Sequence, residues 1–157
     1  MNDFDEICHK AMNMTVRLLA RRNHTRYEIV QKLKVRGFDA EVRDAILSEC
    51  ERLNYLDDSA TARFYLQELQ RKGYGTHRIR LAMKKKGLSE ELIGEMLFEL
   101  NSEEDELENA HRVLQNKLRS FDKEKDARKR REKIYRFLYS RGFSKVVISE
   151  VMQSEKT

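Results

Sequence analysis

With 39% apolar and 38% charged side chains and no proline, this 157-residue chain suits long, surface-rich helices better than a thick sheet-centred core. Its formal net charge of +5, from 32 basic and 27 acidic side chains, favours polyanionic or acidic partners. No apolar run reaches the roughly 18 residues that span a bilayer, the start "MNDFDEICHK" lacks a signal-peptide core, and Cys8 and Cys50 form no metal-spacing motif; a reduced, cytoplasmic protein is expected.

The first helix is expected over about residues 5–22, with Ala11 and Leu18/Leu19 facing a core. Thr25 and Glu28 have capping-box spacing and open a second helix. Ile29 and Leu33, at i and i+4, mark its buried face. Gly37 ends it, because glycine enters the left-handed conformation without a Cβ clash. Phe38 then reaches back to Leu33, and Asp39 can accept the free amides of a third helix. Val42 and Ile46/Leu47 form that helix's apolar stripe. The stretch Tyr55-Leu56-Asp57-Asp58 reads as a connection capping the next helix, not as a cation site.

The pattern then returns. A helix over about 58–72 carries Ala60, Phe64, Tyr65 and Leu69, and Gly75-Thr76 breaks the chain after it. Ile79 and Met83 precede Gly87, which is followed by Leu88, Ser89, Leu92 and Met96/Leu97. A helix over about 104–119 carries Ala110, Val113/Leu114 and Leu118. Ile134 and Leu138 precede Gly142, followed by Phe143, Ser144, Val147 and Val151/Met152. Agreement at eight or more positions marks an internal repeat. The fold expected is all-α, three tandem three-helix repeats over residues 1–56, 57–101 and 102–157. Units of about 50 residues are too small to be robust alone, so neighbours contribute stability. Five extra residues separate the second and third glycines, and no stop signal is evident before Ile134. One unbroken helix over 122–141 is therefore expected.

Chemistry finds no foothold in these motifs. His9, His24, His77 and His111 lack repeated carboxylates or cysteines at ligand spacing and read as surface or capping residues. Cys8-His9 is a neighbouring pair, not a nucleophile–base arrangement. Gly73-Tyr74-Gly75 has no Lys-Ser/Thr after it and no strand before it, so it is no phosphate loop. No catalytic residue, metal or cofactor is assigned.

Charge placement is the sharper signal. Arg26, Lys32, Lys34 and Arg36 give residues 25–36 a net +3, and Arg78, Arg80, Lys84, Lys85 and Lys86 give 76–86 a net +5. Residues 122–141, with Arg128, Lys129, Arg130, Arg131 and Arg136, are again +5. The helices after the glycines are acidic, −3 over 39–50 and −4 over 89–100. A helix–turn–helix reader inserts its second helix between phosphates, and Glu90, Glu91, Glu95 and Glu99 oppose that docking. A basic stripe on the pre-glycine helices suits a charged polymer, or else simply solvates a face.

These stretches together resemble the RecX family of regulatory proteins. The resemblance is carried by Leu18-Leu19 with "RRNHTRYEIVQKLKVRGF", by "YLDDSATARFY", by "RKGYGTHRIRLAMKKKGL" and by "KIYRFLYSRGF", in order, over roughly residues 8–152. The acidic "NSEEDELENA" and residues 123–131 are the least family-specific parts. The resemblance implies an elongated, curved array of three-helix modules and a non-enzymatic modulator, usually an inhibitor, of RecA recombinase. It implies association with the RecA–DNA filament, a role in recombination, DNA repair and the SOS response, and no cofactor. A monomer binding DNA without regard to sequence is expected. The alternative is a stand-alone helical-repeat nucleic-acid-binding protein.

Overall fold

Capping side chains decide where each helix begins. In the computed structural model, which describes residues 2–155, nine helices occur among these residues: α1 (Asp3–Arg21), α2 (Arg26–Val35), α3 (Ala40–Arg52), α4 (Asp58–Arg71), α5 (Thr76–Lys85), α6 (Glu90–Leu100), α7 (Glu103–Phe121), α8 (Ala127–Ser140) and α9 (Lys145–Ser154). Met1, Lys156 and Thr157, which the sequence reading counts in the first and third repeats, lie outside the described residues. No strand occurs among the described residues. The side chains of Asn2, Thr25, Asp39, Asp57, Ser89, Ser102, Asp126 and Ser144 each accept an amide of the helix they precede. Asn2, Thr25 and Ser102 form complete capping boxes.

The helix ends repeat as well. Gly37, Gly87 and Gly142 lie at φ +84°, +79° and +89°, and the residue after each donates its N–H to the carbonyl of Leu33, Met83 or Leu138. This six-to-one closure satisfies carbonyls that the helix would leave open. Gly73 ends α4 the same way, with Tyr74 donating to Leu69 O, and Asn54 at φ 57° takes the left-handed position after α3.

The expected continuous helix over 122–141 does not form. α7 stops at Phe121 and α8 starts at Ala127. The Asp126 carboxylate accepts the amides of both Arg128 and Lys129, while Asp126 N–H donates to Glu124 Oε1. An aspartate that captures two downstream amides offers the backbone a competing turn. The five extra residues thus become a loop, tied to α8 by Arg130–Asp122 at 2.9 Å and Lys133–Glu124 at 2.7 Å.

Each module has its own core. Ile29/Leu33, Ile79/Met83 and Ile134/Leu138 are at most 3% exposed and centre three separate clusters. Full burial of such a side chain stabilises by roughly 1.5–3 kcal/mol. The helices that pack closely do so within modules: α4, α5 and α6 all touch one another, as do α7, α8 and α9. The first module differs. There α1 and α2 each pack on α3 but not closely on each other, leaving a groove between them.

Candidate interaction surface

The modules meet through their helix ends, and several of the sequence's candidate cations are committed there. At the first junction Thr25 Oγ1 donates to Lys86 O at 2.5 Å, and the Arg26 amide donates to Asp58 Oδ1 at 2.8 Å. Lys86 Nζ lies 3.4 Å from Glu28 Oε2 and above the Tyr65 ring, while Arg22 donates to the same oxygen at 2.7 Å and to Oε1 at 3.4 Å. Burial alone would raise the Glu28 pKa. The Arg22 guanidinium, the Thr25 amide and the Lys86 ammonium outweigh it and hold the carboxyl at about 2. Lys86 is half-buried and serves the junction.

The second junction uses main chain. Gly75 N–H donates to Arg141 O at 2.8 Å and His77 N–H to Gly142 O at 2.9 Å. The buried Glu106 accepts the amides of Thr76 and Ser144 through one oxygen, at 3.2 and 3.1 Å. Arg141 donates to Lys72 O at 3.0 Å, and Asn101 Nδ2 to Thr76 Oγ1 at 2.7 Å. Arg78 stacks 3.9 Å over the Tyr74 ring and points a weak 3.4 Å hydrogen bond at Ser140 O.

Other candidate cations are partly neutralised in place. Arg26 pairs with Glu51 at 2.6 Å, Lys84 and Arg80 with Glu90 at 2.6 and 3.7 Å, and Arg128 with Glu132 at 3.5 Å. Glu90 of the post-glycine helix thus shields part of the α5 stripe. Lys32, Lys34, Arg36, Lys85, Lys129, Arg131 and Arg136 are exposed and make no ion pair among the described residues. These seven are distributed over all three modules, on or just after α2, α5 and α8.

Sequence reasoning missed three cations on α1. Lys10, Arg17 and Arg21 join Lys32 and Arg36 around the groove between α1 and α2, about 850 Å³ in volume. Their spacing with Met14, at i, i+4, i+7 and i+11, is one helical stripe, a signal present in the sequence but outside the repeated segment. His24 is also placed differently from expectation. It is buried in the α1–α2 connection, its Nδ1 3.0 Å from Arg22 O, and burial pushes its pKa down. Asp57 caps α4, as read. No group of three or more His, Cys, Asp or Glu among the described residues is placed to hold a metal ion, and none of their helices is long and apolar enough to cross a membrane.

Comparison with known proteins gives the same modular division. Models of the first, second and third three-helix domains of RecX match residues 11–50, 57–97 and 103–152. A Haemophilus influenzae (strain PittEE) protein named "Regulatory protein RecX" is 35% identical over 134 residues, 85% of this chain and 86% of its own. A Legionella pneumophila (strain Corby) protein of the same name is 34% identical, over 94% of this chain and 96% of its own. The crystal structure of RecX from Lactobacillus salivarius superposes with a TM-score of 0.86 at 20% identity, covering 96% of this chain and 97% of its own. A second crystal structure, of a regulatory protein RecX, gives 0.82 at 24% identity, over 96% of this chain and 73% of its own. These structures share the fold. Together with the three domain matches in tandem order, the relatives show that this chain belongs to the RecX family of regulatory proteins.

Proposed function

We propose that the protein is a non-enzymatic inhibitor of RecA recombinase that binds the RecA–DNA filament along its three modules, and so modulates homologous recombination, DNA repair and the SOS response. The observation that carries this reading is the distribution of unpaired cations over α2, α5 and α8 of three modules joined end to end. A nucleoprotein filament is a repeating anionic lattice. Several weak contacts held on one chain raise affinity through effective concentration, and phosphate contacts add attraction without sequence preference. Lys32, Lys34, Arg36, Lys85, Lys129, Arg131 and Arg136 take the filament-facing role. Arg26, Arg80, Lys84, Arg128 and Arg130 contribute through partly neutralised charge, and Arg78 and Lys86 hold the junctions. Bound along the filament, the array obstructs extension and strand exchange without chemistry of its own. It acts as a cytoplasmic monomer with no cofactor.

A second reading, a stand-alone nucleic-acid-binding protein, is favoured by one feature. Tyr135 and Tyr139 stack at 6.0 Å with an interplanar angle of 9° on the exposed side of α8, beside Arg131 and Arg136. Exposed rings among cations suit unpaired bases. The two readings part in a pull-down at physiological salt with purified RecA, with and without single-stranded DNA and nucleotide. The inhibitor reading expects capture of the filament well above capture of naked DNA. Equal capture of DNA with and without recombinase would replace it with the second reading.

A further inference from the structure

We propose that the groove between α1 and α2 is a docking site for an acidic, amphipathic helix of a partner protein. The groove exists because the first module is splayed: α4–α5 and α7–α8 close on each other, and α1–α2 do not. Five cations line it, three from α1, Lys32 from α2 and Arg36 at the C-cap of α2, with no carboxylate among the lining residues. None of the five makes an ion pair among the described residues. Between the two cationic rims lie Met14, Leu18, Val35 and Phe38. Val35 is 85% exposed, although it belongs to the last turn of a helix whose Ile29 and Leu33 are fully buried.

That combination selects its occupant. A helix lying in a groove presents apolar anchors at i, i+3, i+4 and i+7 with its polar residues on either side. Here the complementary flanks are Asp and Glu. A groove of about 850 Å³ has room for such anchors, and the unbranched Met14 can adapt its shape to them. Nucleic acid fits less well. Five cations would attract phosphates, but bases bind by stacking on flat rings, and the floor offers aliphatic and thioether surface with one half-buried phenyl, Phe38. This deepens the regulator reading, on which it rests for the existence of a protein partner: the first module grips protein, while α5 and α8 face the polyanion.

The probe is a fluorescently labelled 14-residue peptide with leucines on one helical face flanked by glutamates, titrated with the full chain by anisotropy. The controls are a scrambled peptide of the same composition, a lysine-for-glutamate peptide and a dT15 oligonucleotide. Binding of the amphipathic acidic peptide is expected, with Kd rising at least tenfold in Arg17→Glu/Lys32→Glu and in Val35→Ser. All three positions are exposed, and circular dichroism verifies that the variants fold. Equal binding of the scrambled peptide would reduce the groove to plain charge and overturn the proposal. Displacement of the peptide by dT15, with dT15 still binding Val35→Ser, would make it a nucleic-acid site. Phe98, 87% exposed on α6 with Glu91 and Glu95 nearby, makes self-association a further outcome; a concentration-dependent dimer abolished by Val35→Ser would assign the groove to a second copy. Failure of the recombinase pull-down with peptide binding intact would defeat the regulator reading and leave the groove standing.

Discussion

Between the first and second modules a side-chain hydroxyl, Thr25 Oγ1, meets the carbonyl of Lys86; at the matching place between the second and third, the main-chain amide of Gly75 meets the carbonyl of Arg141. At both junctions an acid from the following module receives the first amide of the preceding module's second helix, Asp58 from Arg26 and Glu106 from Thr76. The plan is shared and the materials differ. The first junction depends on Glu28, Arg22 and Lys86 around a cavity of about 300 Å³. The second is closed by backbone, by a buried carboxylate and by Arg141 reaching Lys72 O. Direct backbone contact requires glycine on both sides: a Cβ on Gly75 would strike the main chain of Phe143, and one on Gly142 the main chain of Arg78. The lesson is that one repeat can give a joint sensitive to pH and salt and another that is sterically fixed.

The largest test of this difference is Gly75→Ala. A methyl group forced into main chain that cannot move aside should cost about 3 kcal/mol, read as a fall in the midpoint of chemical denaturation. Gly37→Ala is its control. Nothing lies within 4 Å of a Cβ there, so only the left-handed φ of +84° is penalised, at about 1 kcal/mol. Equal losses would mean that the second junction is not close-packed.

Glu106→Gln comes next. The amide keeps an acceptor oxygen but loses the charge that two N–H groups share, and hydrogen bonds to charged groups are the stronger ones. A loss of about 1–2 kcal/mol is expected, with the amide protons of Thr76 and Ser144 exchanging faster. Unchanged exchange at Ser144 would remove Glu106 from the junction.

Acid should loosen the first junction through Glu28. Because the Glu28 pKa is depressed from 4.5 to about 2 in the fold, the unfolded chain takes up this proton first as pH falls. The associated stability is complete above about pH 4.5 and is lost as pH falls toward 2, a change of roughly 3 kcal/mol. Asp58 runs the other way, since burial raises its pKa despite the bond from Arg26. Comparing the wild type with Glu28→Gln isolates the Glu28 part. A variant with the same acid slope of stability as the wild type would contradict it.

Most of the fold was legible because its determinants are local. Ile29, Leu33, Gly37 and Phe38 specify a buried face, a stop and a closure within ten residues, and the repeat displays them three times. The break at Asp126 escaped because an aspartate two and three residues ahead of the amides it captures, followed by a run of basic residues, does not resemble the Thr25/Glu28 box. The junction acids Asp58 and Glu106 stand at different depths in their helices, so no alignment on the glycines pairs them. The basic character of α2, α5 and α8 was visible. Which cations stay unpaired was not, because Glu28, Glu51 and Glu90 reach them across turns and modules.

The central claim is that unpaired cations on successive modules bind one filament together. Its most direct test is a salt titration of the inhibition of recombinase DNA-dependent ATPase, comparing the full chain with Lys129→Glu/Arg131→Glu/Arg136→Glu. Three lost phosphate contacts on a single strand should lower the log–log salt slope by about 2. Loss of one linked module should also weaken inhibition by more than tenfold at physiological salt. An unchanged slope with unchanged inhibition would show that the third module does not grip the polyanion, and the account of linked modules would fail.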